Sequence, residues 1–303
     1  MNKNIDNTNI SKVLGQRVSA PETYDNTILV REPRQSNRTY LNLFEGNLPF
    51  YGKDLWNNWE VSLLTERGMP VTAVAQIIYD CNSKYIVESK SAKLYFNSFN
   101  MTRRGCTPQE ALSWLSETSI KDLSDLLETP VSIQLFAPGE ANETYGTIKD
   151  FTLYQNLETD FSATDINFTQ YTEDGSLIVL NNHLNNTSTV AFKSTLLRSN
   201  CRVTNQPDHG DVFVYMKSKK TPTPDSLLQY IVSFRNECHF HEEICEAIYK
   251  RLYDICMPEE LKVACYYVRR GSLDINPIRV SHEHLLEDFF INNKLRYPKT
   301  LRQ

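Results

Sequence analysis

From about residue 66 onward the apolar positions fall into regular patterns. Residues 71–78 are rich in β-branched and apolar side chains and predict a strand, and 85–87 and 92–99 continue the extended signal. Thr107-Pro108-Gln109-Glu110 then predicts a helix start. Thr107 can cap, Pro108 suits the first helical position, and Glu110 completes a capping box. Ala111, Leu112, Trp114 and Leu115 give that helix an apolar face, a second helix is expected over 121–127, and 131–136 reads as a strand. The order then recurs. Residues 189–197 and 211–216 predict strands, and Thr223-Pro224-Asp225-Ser226 repeats the helix start before apolar Leu227, Leu228, Tyr230 and Ile231. Over 240–255, Ile244, Ile248, Leu252 and Ile255 recur at helical spacing. Residues 261–268 and 274–280 predict the last strands.

Each half thus reads strand, strand, helix, helix, strand, with a further strand expected, which is an internal duplication of structure. Strands in adjacent runs, with helices grouped between them, predict an α+β fold of antiparallel sheets with helix pairs on one face. Four segments follow: an irregular stretch over 1–65, an N-terminal half over 66–140, a connection over 141–188 and a C-terminal half over 189–303. The first holds Pro21, Pro33 and Pro49 with the aromatics Tyr51, Trp56 and Trp59, and the connection is rich in Asn, Thr and Asp.

Composition narrows the class. The chain has 303 residues, 40% of them hydrophobic and 23% charged, which is globular and neither disordered nor low-complexity. Its net charge is −5 and its basic clusters are short, so no nucleic-acid partner is expected. No apolar run approaches the ~20 residues that cross a bilayer, and the start of the chain lacks a signal peptide's apolar stretch. No membrane association is expected. Seven cysteines, an odd number without an export signal, are expected to be reduced thiols in the cytoplasm. Neither Gly-x-Gly-x-x-Gly nor a P-loop occurs, which argues against a Rossmann or P-loop fold without excluding a nicotinamide cofactor held another way.

Three clusters could carry chemistry. In the first, Cys201 follows a strand and opens a polar loop containing Arg202, Pro207 and Asp208. A neighbouring cation favours the reactive thiolate, and a nearby carboxyl can shuttle a proton; the plain alternative is one more small buried cysteine. The second surrounds Cys238-His239-Phe240-His241-Glu242-Glu243. Carboxylates in a first helical turn complement the helix dipole without any further role. Alternatively His241 carries a proton and Glu242 accepts hydrogen bonds in a pocket. A zinc site built from Cys238, His241 and Cys245, with His239 nearby, is a third option. In the third cluster, 87–95, strand alternation would place Glu88, Lys90 and Ala92 on one face and Ser89, Ser91 and Lys93 on the other. Such lysines grip phosphate or protect a sheet edge, and taken alone the residues favour the edge.

Together these clusters resemble the NADPH-dependent 7-cyano-7-deazaguanine reductases, the nitrile reductases of queuosine biosynthesis, in their long two-half form. The resemblance is carried by Glu88-Ser89-Lys90-Ser91-x-Lys93-Leu94-Tyr95 with Asn97-Ser98-Phe99-Asn100, then Ser199-Asn200-Cys201 and Gln206-Pro207-Asp208. It continues in Phe234-Arg235-Asn236, Phe240-His241-Glu242 and Arg269-Arg270-Gly271-x-Leu273-Asp274-Ile275-Asn276-Pro277. Leu14-Gly15 and Leu301-Arg302-Gln303 fit as well, so the match spans nearly the whole chain.

The resemblance implies tandem tunnelling-fold (T-fold) units, a homodimer, and reduction of a nitrile to an aminomethyl group by two NADPH. It implies Cys201 as the nucleophile forming a thioimide, Asp208 as proton donor and His241 as an aid to proton delivery. Val87, Glu88, Ser89, Phe240, His241 and Glu242 are the implied contacts to the 7-deazapurine substrate. Ser89, Lys90, Arg270 and Gly271 are those to NADPH. His239 and Cys238 are taken as bystanders, and no metal is expected. The competing readings are a zinc-dependent T-fold cyclohydrolase with Cys201 as ligand, and a non-catalytic purine- or pterin-binding protein.

Overall fold

The computed structural model describes residues 23–137, 154–160, 166–181, 186–202 and 205–286. The motifs at Leu14-Gly15 and Leu301-Arg302-Gln303, and part of the 141–188 connection, lie outside them. The first half runs β1 (Arg31–Pro33), α1 (Gln35–Arg38), β2 (Tyr51–Leu64), β3 (Pro70–Asp80), β4 (Tyr85–Val87), α2 (Ser89–Ser98), α3 (Pro108–Leu127) and β5 (Val131–Phe136). After the short β6 (Gln155–Asn156), the second half runs β7 (Ser188–Asn200), β8 (Pro207–Ser218), α4 (Pro224–Val232), α5 (His241–Cys256), β9 (Glu260–Tyr267) and β10 (Leu273–Val280).

One eight-stranded sheet, in the order β5-β3-β2-β10-β9-β8-β7-β6, joins the halves. All its pairs are antiparallel except β6 with β7. The seam is β2 against β10, from Leu273 opposite Asn58 to Val280 opposite Tyr51. Each half opens with a long hairpin, and each hairpin carries one register irregularity, between Asn58 and Val61 in the first and between Ser194 and Leu197 in the second. The duplication therefore extends to this detail. Both helix pairs pack on one face of the sheet. Leu273 and Ile275 of β10 join the core under α2 and α3, and Arg279, of the same strand parity, reaches Glu246 on α5. On the other face, Ile278 and Val280 pack with Phe213, Ala264 and Tyr266. The molecule is the α+β arrangement the alternation pattern predicts, and no helix among the described residues is long and apolar enough to cross a membrane.

The helix of 240–255 forms as its spacing predicts. Ile244, Ile248 and Leu252 are fully buried against β9 and β10, each burial worth roughly 1.5–3 kcal/mol. Three expectations are corrected. Residues 92–99 are not a strand but most of helix α2. Ala92, Tyr95, Phe96 and Phe99 lie at i, i+3, i+4 and i+7, a buried helical stripe that aromatic content had disguised as an extended segment. The expected helix at 121–127 is the end of α3, which runs unbroken from Thr107, whose hydroxyl caps Glu110 N at 3.2 Å. Finally, residues 51–64, inside the stretch read as irregular, form the central strand β2. Its alternation is hidden because Asp54, Asn57 and Asn58 are buried polar residues.

The reason Asp54 tolerates burial sits between the two cores. Arg34, Arg38 and Arg279 surround Asp54 and Glu246, and all five are buried. Asp54 pairs with Arg34 and, at 2.8 Å, with Arg279; Glu246 takes Arg38 at 2.7 Å and Arg279 at 2.9 Å. Burial alone would lift the Glu246 carboxyl, but Arg279 and Arg38 outweigh it and bring it down to about 2. Buried charges persist only when so paired. This network is the bed on which the first turn of α5 rests.

Candidate active site

Four segments meet over the seam between the halves. The first is the tip of the β7–β8 hairpin. Asn200 faces Pro207 and Ser199 faces Asp208. Cys201 N donates to Gln206 O at 2.8 Å, and Asn205 N to Cys201 O at 2.9 Å. Asn205 turns the chain with φ 53°, a left-handed conformation that Asn accepts more readily than most residues. The half-buried Cys201 is thereby presented at the end of a rigid strand.

The second segment is the start of α5. Sequence alone could not divide the labour between its two glutamates. Glu243 turns back and accepts Phe240 N at 3.0 Å, the helix-capping role. Glu242 instead faces the cavity, is 1% exposed, and its Oε1 has no hydrogen-bond partner among the described residues. Burial, helped by the charge of Asp54, pushes its carboxyl up to about 8 against the pull of Arg34 and Arg279. His241 stacks on Tyr267, ring centroids 3.8 Å apart. Its Nε2 lies 3.5 Å from Asp208 Oδ2.

The third segment is the turn after β9. Gly271 has φ 62°, a left-handed conformation that favours glycine, and a Cβ there would displace the end of the Lys93 side chain, whose Nζ lies 2.1 Å from that position. Arg270 Nε holds Asp208 Oδ1 at 3.0 Å. Asp208 is thus clasped between a guanidinium and an imidazole, a pairing that nothing in the sequence announced.

The fourth segment is the start of α2. Glu88 is the helix N-cap, accepting Lys90 N at 3.0 Å and Ser91 N at 2.7 Å. The strand alternation expected here does not exist. Glu88, Lys90 and Lys93 face the cavity from the first helical turn instead. Each Glu88 oxygen keeps a second lone pair for a ligand. Lys90 Nζ is buried without a partner.

These segments wall a cavity of about 280 Å³. Every residue the resemblance implies as catalytic, substrate-binding or cofactor-binding lines it. Val87, Glu88, Ser89 and Lys90 come from the N-terminal half. Cys201, Asp208, Phe240, His241, Glu242, Arg270 and Gly271 come from the C-terminal half. Arg202, expected to favour the Cys201 thiolate, lines it too, as do Trp56, Lys93 and Gln206, to which the sequence assigned no role in the site. Lys93 and Gln206 stand in the quoted motifs; Trp56 carries no signal until the chain is folded. The zinc arrangement fails on geometry. Cys245 points into the core, its thiol 3.6 Å from Val263 O and 3.5 Å from Pro277 O. Among the described residues no group of three His, Cys, Asp or Glu side chains is placed to hold a metal.

One pH dependence follows. A ligand offering N–H donors prefers an ionised Glu242, and that carboxylate forms only as pH rises through about 8. Calorimetry with a purine-like base that offers such donors is expected to show affinity rising by up to about tenfold per pH unit below that value and levelling above it. A flat profile would contradict this role for Glu242.

Fold and site together define a two-half α+β protein with one thiol-bearing, cation-walled pocket at the junction of its halves. Comparison with known proteins is specific. A family model described as "Nitrile reductase, 7-cyano-7-deazaguanine-reductase N-term" matches residues 20–135, and one described as "QueF-like protein" matches 207–285. The chain is 39% identical to the NADPH-dependent 7-cyano-7-deazaguanine reductase of Legionella pneumophila (strain Lens), over 88% of each chain. It is 36% identical to that of Colwellia psychrerythraea, over 91% of this chain and 93% of the relative. A crystal structure of the archaeosine synthase QueF-Like in the apo form aligns with 32% of this chain and 94% of that one, at 14% identity and a TM-score of 0.28. The chain belongs to the 7-cyano-7-deazaguanine nitrile reductase family. Cys201 lies between the two matched stretches, so its role rests on its place in the cavity.

Proposed function

We propose that this protein reduces the nitrile of 7-cyano-7-deazaguanine to an aminomethyl group with NADPH, supplying a precursor of queuosine. The observation that carries the reading is the joint presence, in one cavity, of a thiol, a carboxyl–imidazole pair and a buried carboxylate oxygen without a partner. Cys201, as thiolate, adds to the nitrile carbon. Asp208, sharing a proton with His241, protonates the nitrile nitrogen as the C–S bond forms, which gives a thioimide. Splitting one difficult reduction into addition and release is the benefit of a covalent nucleophile. Cys201 is later expelled as thiolate, and His241 supplies the further proton that the amine requires.

Recognition follows from the same walls. Glu242 and Glu88 accept the N–H donors of the pyrimidine edge, with Val87 and Ser89 beside them and Phe240 against the ring. The walls also suit a phosphate-bearing cofactor. Lys90 Nζ is buried with no hydrogen-bond partner among the described residues, and the end of Lys93 fills the space beside Gly271 that a Cβ would enter. Ser89, Lys90, Arg270 and Gly271 would hold NADPH, with Lys93 joining them. Arg270 contributes only its outer guanidinium edge, because its Nε is committed to Asp208. A cofactor bound there would supply one hydride, and a second NADPH, taking its place, the other.

The test is stoichiometric. Purified protein with 7-cyano-7-deazaguanine is expected to oxidise two NADPH per nitrile consumed. Binding of the base without NADPH oxidation would favour a non-catalytic module, and release of a hydrolysed base without oxidation would favour a hydrolase.

A further inference from the structure

His239 lies between the nucleophile hairpin and the recognition turn, and it contacts a carboxylate on each side. Its Nε2 is 3.0 Å from Glu237 Oε2 and its Nδ1 3.2 Å from Glu243 Oε2. Both glutamates are tied to segments of the site. The backbone carbonyl of Glu237 accepts Asn200 N at 2.7 Å, directly before Cys201, while its carboxylate accepts Glu173 N at 2.9 Å. Glu243 caps Phe240 N and pairs at 3.2 Å with Arg202, directly after Cys201. The imidazole forms part of the wall of the active-site cavity and of a second cavity of about 250 Å³ behind it.

We propose that His239 is a positioning residue whose imidazolium pins Glu237 to Glu243 and so fixes Cys201 relative to Phe240, His241 and Glu242. The inference rests on the nitrile-reductase reading of the cavity. A neutral imidazole has one N–H and one lone pair, so it can donate to only one carboxylate and must repel the other. Both contacts require the charged form. Burial works against that charge, but the hydrogen bonds that His239 donates to Glu237 and Glu243 outweigh it and lift His239 to about 9. Other charged groups near the pin are Arg202 from the hairpin, Glu32 from β1, Glu173 (whose N donates to Glu237) with its partner Arg251, and Asp208, His241 and Glu242 across the cavity. Arg202 and Arg251 already have carboxylate partners, at Glu243 and Glu173. His239 is therefore the group whose deprotonation releases the clamp.

The experiment measures the rate of covalent adduct formation with 7-cyano-7-deazaguanine, without NADPH, across pH for wild type, His239→Gln and Glu237→Gln. Wild type is expected to lose rate as pH rises through about 9. His239→Gln is expected to be about tenfold slower at neutral pH and to lack that descending limb, while the KM for NADPH stays within about twofold in turnover assays. Glu237→Gln is expected to move the limb to lower pH. A purely structural histidine would lower Tm and leave the limb in place. His239→Gln with a wild-type rate, or with the wild-type limb, overturns the proposal. If that variant does not fold, an unmoved limb in Glu237→Gln overturns it. Wild type that forms no adduct at any pH counts against the nitrile reading instead. The pin is then read from the imidazole titration by NMR, where a midpoint at about 9 supports it and an ordinary value near ~6.5 overturns it.

Discussion

Replacing Cys201 with alanine is expected to abolish the covalent adduct and to cut NADPH oxidation by about a thousandfold or more. The reason is geometric as well as chemical. Cys201 stands at the end of β7, fixed by its own N–H to Gln206 O, with Asp208 two positions along the facing strand from Gln206. The other cysteines cannot substitute for it. Cys81, Cys245, Cys256 and Cys265 are buried in the cores, and Cys106 is exposed beside Glu66, whose hydrogen bond raises its thiol. Cys238 is exposed, hydrogen-bonded to Asn205 and absent from the cavity wall. Binding of the base should survive, because Glu88 and Glu242 are untouched. A variant that has lost both binding and chemistry would point to collapse of the hairpin rather than to loss of a nucleophile.

The second large effect is expected from Glu242→Gln. The exchange keeps shape but turns one acceptor into an N–H donor facing the donors of the base. A site built to accept specific N–H groups loses most of its discrimination when that complementarity is broken. The KM for the nitrile substrate is expected to rise about a hundredfold, with kcat changed far less. Stability should move the other way. Because burial holds the folded carboxyl at about 8, above its usual 4.5, the native state binds more protons than the unfolded chain between those values. The stability of the native protein therefore falls as pH rises through that window. Glutamine carries no such penalty, so Tm at neutral pH should rise by roughly a few degrees. Thermal melts and steady-state kinetics on the same preparation check both halves of this expectation. An unchanged KM would remove Glu242 from substrate recognition.

The contrast between Glu242 and Glu243 also shows where sequence reasoning stopped. Adjacent glutamates in a first helical turn are equivalent on paper. Only the packed structure makes one the cap and leaves the other with an oxygen that has no hydrogen-bond partner among the described residues, over the Asp54–Arg279 bed. The helix itself was legible, because Ile244, Ile248 and Leu252 carry a strong period. The strand β2 was not, because its buried Asp54 and Asn57 are satisfied by Arg34 and by Asp274, and the second of these lies 217 residues away. No local pattern encodes such a partner. Helix α2 was misread for a different reason. Its cap is Glu88, a residue outside the usual Ser, Thr, Asp and Asn set, and its aromatic stripe imitates a strand. The site residues were legible as an ordered set of short motifs. Their electrostatics were not: the clasp of Asp208 by Arg270 and His241, and the burial of Lys90 Nζ, exist only once four segments converge.

In the proposed mechanism Cys201 bonds to the nitrile carbon before any hydride arrives. Intact-protein mass spectrometry after incubation with 7-cyano-7-deazaguanine alone is the sharpest check. A single addition equal to the mass of the base is expected, mapping to Cys201 and absent from Cys201→Ala. Unmodified protein under those conditions, from a preparation that still reduces the nitrile when NADPH is added, would contradict it.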